Sequence, residues 1–245
     1  MARRGTHADA AAPLGYPRAV PDQPFALPFP LPSAQATTLA AALDRERKIE
    51  RALETLGPVA GRDVAVVGAL PDGVARLASL GARPTRVESL LGDAARALPD
   101  GSVDTIVSAW SAFRGVEPSE LAAAERLLRP GGRLLVLHDY GRDDVSRLRG
   151  DLPEYGAWSR RSGPFLANGF RVRVLHCFWT FDSLDQARGF LAEAFGANGT
   201  ALGVGLKRPR LSYNVAVYHR TLGGRAGGPA SPSRASEAGA SLSAF

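Results

Sequence analysis

Apolar positions along this chain recur in two rhythms, and the rhythms alternate. Over Thr37–Leu56, Leu39, Leu43, Ile49, Leu53 and Leu56 fall on or near one helical stripe, and Gly57 stops it. Asp63–Gly68 follows as a short apolar strand carrying Val64, Val66 and Val67. A short helix over Asp72–Leu80 closes at Gly81. Strands are predicted at Pro84–Glu88 and at Val103–Ala109, the second entered from the turn Pro99-Asp100-Gly101. Pro118–Leu128 reads as a helix with proline in its first turn, ended by Pro130-Gly131-Gly132. Arg133–Leu137 is an apolar strand, and Phe170–Phe181 is a long one. Ser183 and Gln186 form a capping box that opens a helix over Leu184–Phe195, ended by Gly196, and Leu211–Tyr218 is the last strand.

Strands alternating with helices imply an α/β domain, a mostly parallel sheet covered by helices on both faces. The connection at 196–210 shows no further helix, so the last strand is expected to return antiparallel to its neighbour. This domain is expected to span 34–221. Before it, prolines at 13, 17, 21, 24, 28, 30 and 32 are incompatible with a helix or a central strand. Residues 1–33 are therefore expected to be a Pro/Ala-rich extended or disordered segment. Residues 222–245, mostly Gly, Ala and Ser, read as a flexible tail.

Composition narrows the class. With 45% hydrophobic residues in 245, the chain has enough apolar side chains for a sizeable core. One cysteine excludes a disulfide framework and a cysteine-rich zinc module, and points to a reducing compartment. No run of about 18 apolar residues is present, and no apolar stretch follows Met-Ala-Arg-Arg, so the chain is expected to be cytoplasmic, with no membrane partner. The net charge of +6 is carried almost wholly by arginine, with lysine only at 48 and 207. The plain reading of that bias is a GC-rich genome. An anionic partner such as nucleic acid is the sharper reading, but no long basic block supports it.

The candidate chemistry gathers at the carboxyl ends of the strands, where open sheets of this kind bind ligands. There stand Gly68–Gly73 after the first strand, Glu88 after the second, Gly92-Asp93-Ala94 beyond it, Ser108-Ala109-Trp110-Ser111 after the next, and His138-Asp139-Tyr140 after the apolar fourth. A glycine turn admits a ligand close to the backbone, and a carboxylate twenty residues on suits two ribose hydroxyls.

In these residues the chain resembles class I S-adenosylmethionine-dependent methyltransferases over about 40–220. The resemblance rests on Val64-Ala-Val-Val-Gly68, Glu88, Gly92-Asp93-Ala94 with Leu98-Pro-Asp-Gly-Ser-Val-Asp104, and Glu125-Arg-Leu-Leu-Arg-Pro-Gly-Gly-Arg-Leu-Leu-Val136. It implies a Rossmann-like, doubly wound, seven-stranded sheet with the last strand antiparallel. It implies S-adenosylmethionine as cofactor and methyl transfer to an unidentified small-molecule or macromolecular nucleophile; a small-molecule substrate is the expected partner ahead of a nucleic acid. Gly68, Ala69 and Gly73 would face the methionyl part, Glu88 the ribose, and Asp93 with Ala94 the adenine; Ala109 lies on the same rim. Val66 stands where the family usually has an acid, and Leu70 and Pro71 interrupt the usual glycine spacing.

Catalytic candidates are His138, Asp139 and Tyr140. One reading makes His138 a base oriented by Asp139 or Tyr140. The other makes it a hydrogen-bonded histidine lining the sheet edge. Asp143 and Asp144 read as a helix start rather than metal ligands, and no metal site is expected. Arg171 and Arg173 alternate on one strand face, which suits phosphate but is read as a solvated face. Cys177 is taken as a core thiol. Two further function classes stay open beside the enzyme: a non-catalytic binding module on this fold, and a nucleotide-dependent oxidoreductase.

Overall fold

A computed structural model describes residues 31–68, 73–150 and 152–222. Most of the expected proline-rich segment, Ala69, Leu70, Pro71 and Asp72 in the glycine turn, and the tail beyond Leu222 lie outside the described residues.

The elements in chain order are α1 (Ser33–Ala42), α2 (Lys48–Leu56), β1 (Asp63–Val67), α3 (Gly73–Ser79), β2 (Arg83–Val87), α4 (Asp93–Arg96), β3 (Val103–Ala109), α5 (Pro118–Leu127), β4 (Leu128–Asp139), α6 (Asp144–Arg149), α7 (Pro153–Trp158), α8 (Pro164–Ala167), β5 (Arg171–Thr180), α9 (Leu184–Gly205) and β6 (Arg210–Thr221). The sheet order is β2-β1-β3-β4-β6-β5. β1 to β4 pair in parallel, and β6 is antiparallel to both β4 and β5. This is the Rossmann-like, doubly wound arrangement with an antiparallel last strand.

Among the described residues the sheet has six strands rather than the seven implied by the resemblance. Only fifteen residues separate β2 from β3, and the one element they hold is the four-residue α4. A crossover to a further parallel strand needs a dozen or more residues besides the strand itself.

The two faces carry separate cores because side chains alternate along each strand. Val64, Val66, Val107, Leu135 and Leu137 face α1, α2 and α9 through Leu39, Leu53 and Leu191. Ala65, Val67, Ile106, Leu134 and Val136 face α5, α7 and α8 through Ala124, Trp158 and Phe165.

Three further expectations change. The single helix over 37–56 is two, broken at Leu43–Arg47, where Asp44 and Arg47 are left-handed at φ 50° and 56°. The Asp44 carboxylate accepts from the Lys48 and Ile49 amides (3.0 and 2.7 Å) and so starts a new helix. Leu43 meanwhile bridges to Trp179 on β5. Gly196 does not end α9; at φ 56°, ψ −133° it kinks the helix, which continues to Gly205. The Pro130-Gly131-Gly132 run, expected as a stop between elements, lies within β4 as a bulge, since β3 pairs shift from Val103/Leu128 to Thr105/Arg133.

Candidate functional site

The connection from β1 leads to β2 on one side, and the chain then crosses to β3 on the other. The crevice at that reversal is where open α/β sheets take ligands. The register sets what lines it. Val67 stands abreast of Val87 and of Ser108, so the next residues, Glu88, Gly68 and Ala109, form one row across three carboxyl ends. Glu88 is exposed, and its carboxylate has no hydrogen bond or ion pair among the described residues. Asp93 and Ala94, in α4, are also exposed, and Asp93 pairs with Arg96 at 3.1 Å. Ala109 is buried. Gly73 opens α3.

Gly68 is required twice over. Its φ is +69°, and a Cβ there would lie 2.6 Å from Ser111 Oγ and 2.9 Å from the Ala109 carbonyl oxygen. Ser111 donates to the Val67 carbonyl at 2.9 Å, so it ties the carboxyl ends of β1 and β3 together.

The segment after β3 is strained and held. Trp110, Phe113 and Val116 all have positive φ, at 49°, 63° and 55°. The Ala112 amide donates to Ser108 Oγ (3.2 Å), and the Phe113 amide donates to the Glu120 carboxylate (3.0 and 3.1 Å). His138 Nε2 donates to the Ala112 carbonyl (3.0 Å), which fixes its tautomer. The imidazole is buried against Trp158 and Phe165, with ring centroids 4.8 and 5.8 Å away. Burial, reinforced by the Arg114 charge, pushes its pKa down to about 3.

Asp139 goes to the opposite face, as successive strand residues must. The structure does not bring His138 and Asp139 together as a base and its orienting partner. Trp110 Nε1 donates to Asp139 Oδ1 at 3.0 Å, and the hydroxyl of Tyr213 donates to the same oxygen. Arg149 and Tyr155 donate to Oδ2. All five side chains are buried. Asp139 is therefore the centre of an internal ion-pair network. Tyr140 is half-buried at the rim, and its amide donates to the Asn214 carbonyl at 2.9 Å.

Asp143 and Asp144 serve the start of α6. Asp143 accepts from the Ser146 amide (2.7 Å) and the Asn214 amide (2.8 Å). Asp144 accepts from the Ser212 amide (2.9 Å) and hydroxyl (2.7 Å). Asp104, at the other end of β3, accepts from the Asp63 amide at 2.9 Å and pairs with Arg129 at 2.8 Å. Arg149, Tyr155 and Tyr213 escaped the sequence reading, since no spacing in the sequence connects positions 139, 149, 155 and 213.

No protein-family model matches the chain, and no curated protein matches it. Solved structures share its chain path at low identity. A SAM-dependent methyltransferase from Aquifex aeolicus is 16% identical at TM-score 0.36, covering 76% of this chain and 97% of its own. The YcgJ protein of Bacillus subtilis is 15% identical at TM-score 0.39, covering 73% and 99%. The geranyl diphosphate C-methyltransferase of Streptomyces coelicolor, solved with geranyl diphosphate and S-adenosyl-L-homocysteine, is 15% identical at TM-score 0.36, covering 72% and 78%. Similarity of this degree describes the path of the chain and assigns no activity.

Proposed function

We propose that this protein binds S-adenosylmethionine along the rim of β2, β1 and β3 and transfers its methyl group to a small-molecule nucleophile in the cytoplasm. The supporting observation is the in-register row Glu88–Gly68–Ala109 at the switch point, with an exposed carboxylate at its outer end. Glu88 would take the ribose hydroxyls, Asp93 with Ala94 the adenine, and the turn from Gly68 through Ala69 to Gly73 the methionyl part. The donor set suits the ribose end, since Glu88 keeps its acceptors available to solvent.

The bound cofactor supplies a methyl group already activated by its sulfonium. The chain's own part is alignment and exclusion of water. The pinned 108–116 segment holds the wall of the crevice, and Ser111 holds its base. No proton is taken by His138, which is neutral and buried, nor by Asp139, whose oxygens are engaged. The acceptor is accordingly one that is nucleophilic without help, or one that loses its proton to solvent. Tyr140 is the candidate left at the rim.

A second reading, a non-catalytic binding module, is favoured by Ser111 lying across Gly68 and by Val66 in place of an acid. Calorimetry separates these readings. S-adenosylmethionine is expected to bind, and Glu88→Ala to weaken it about 10- to 100-fold, the loss of charge-assisted hydrogen bonds. Heat from NAD alone would favour an oxidoreductase instead. Binding without methyl transfer to any acceptor in a small-molecule panel would favour the module.

A further inference from the structure

The opposite end of the sheet carries a feature that the rim chemistry does not use. On the face that packs under α2, the apolar core stops at Leu135 and Leu175. Gly57, at the end of α2, rests on these last rows, and a Cβ there would sit 3.3 Å from Leu135 and 3.5 Å from Arg133. Beyond it the same face turns basic. Arg133 pairs in register with Thr221, His219 lies between Leu135 and Arg171, and Arg173 stands opposite Val217. Side-chain alternation puts Arg133, His219, Arg171 and Arg173 on one side of three adjacent strands. The three arginines are exposed, and none has an ion-pair partner among the described residues. Two carboxylates at this end of the sheet, Asp63 and Asp104, are already paired. Asp63 pairs with Arg83 and Arg129, and Asp104 pairs with Arg129 and Arg62. Burial and the three arginine charges together lower the pKa of His219, and no carboxylate offsets them. A cavity of about 330 Å³ adjoins Arg133, lined by Arg62, Arg129, Asp104 and Thr105.

We propose that this arginine face and its adjoining cavity dock the phosphodiester backbone of a nucleic acid, without sequence preference. Guanidinium forks match phosphate oxygens two at a time, and Arg171 and Arg173 leave one side of a single strand with backbone positions about 6.6 Å apart. A membrane surface suits the face poorly, because binding there adds apolar anchors to charge. The large exposed apolar side chains among the described residues, Leu91 and Val204, lie toward the other end of the sheet. An acidic protein suits it poorly too, since protein interfaces centre on aromatic and apolar anchors. The proposal stands apart from methyl transfer and needs no cofactor.

Fluorescence anisotropy with a labelled single-stranded RNA oligonucleotide of mixed sequence tests it. Three phosphate contacts give a slope of about −2 in log affinity against log salt, so binding should fall about 10- to 20-fold between about 50 and 200 mM. Arg133→Gln, Arg171→Gln and Arg173→Gln should each flatten the slope by about 0.7, and the triple variant should remove it. Arg86→Gln, an exposed arginine on β2, should leave it unchanged, and an unaltered thermal midpoint confirms that each variant is folded. An unchanged slope in the folded triple variant overturns the proposal. So does binding to phosphatidylserine vesicles with none to RNA at about 50 mM salt.

Discussion

Two buried groups at the rim give the protein opposing pH dependences. His138 is neutral in the fold with its pKa near 3, while in the unfolded chain it takes a proton below about 6.5. The unfolded state thus binds more protons between these values. Stability is full above about pH 6.5 and falls, by up to about 1.4 kcal/mol per unit, as the pH drops toward 3. Asp143 runs the other way. Burial raises its pKa from 3.8 to about 6, so the folded state holds the extra proton and stability falls as pH rises through that window. Urea midpoints measured from pH 4 to 7 should show the acid loss grow steeper in Asp143→Asn and shallower in His138→Gln. Equal pH profiles for all three proteins would contradict the assignment. At Asp139 the expected effect is larger. Asp139→Asn leaves Arg149 buried without its counter-charge and should cost about 3–5 kcal/mol in denaturant unfolding, far more than an exposed carboxylate would. His138 was legible as a residue near the cleft but not as a prop for the Ala112 carbonyl. That role depends on a 26-residue separation closed only by the sheet.

Among the elements, the breaks are the informative places. Asp44→Ala should cost about 1 kcal/mol by removing the α2 cap, and Asp44→Asn should restore most of it, as read from thermal midpoints. Gly196→Ala forces a side chain into a conformation reserved for glycine and should cost about 1–3 kcal/mol, where a mid-helix glycine would gain from the same change. These positions also show why some of the fold was readable and some was not. β1, β3 and β4 were readable because Val64–Val67, Ile106–Val107 and Leu134–Leu137 are apolar runs bounded by turn residues. The α1–α2 break was not, because Leu43 continues the helical stripe on which it stands. Its role changes only through the bridge to Trp179, far along the chain. The second half of α9 was hidden behind Gly196, which marks a kink as easily as an end. The helices α7 and α8, of six and four residues, are too short for Trp158 and Phe165 to show a period of their own.

At the scale of the molecule, the two ends of one sheet carry different chemistry. The carboxyl ends of β2, β1 and β3 present an exposed acid beside a glycine turn, and the amino end of β4, with the β5 and β6 segments beside it, presents three exposed arginines. Groups this far apart with no shared partner act independently. The Arg133/Arg171/Arg173 triple variant should therefore bind S-adenosylhomocysteine as the parent does, and Glu88→Ala should keep the parent's salt slope for RNA. The rim row was legible because the sequence ends three readable strands at Gly68, Glu88 and Ala109, and the register then brings those ends abreast. Of the basic face, the sequence showed Arg171 and Arg173 sharing one side of a strand; Arg133 was not legible as their neighbour, because it stands nearly forty positions earlier across an intervening strand that arrives last. The central claim is that an adenosine lies along the rim row. Backbone amide shifts during titration with S-adenosylhomocysteine test it most directly. The account predicts saturable shifts centred on Gly68, Glu88, Asp93, Ala94 and Ala109, with Arg171 and Arg173 unmoved. Silence at those five amides under saturating ligand, or shifts gathered elsewhere, would contradict it.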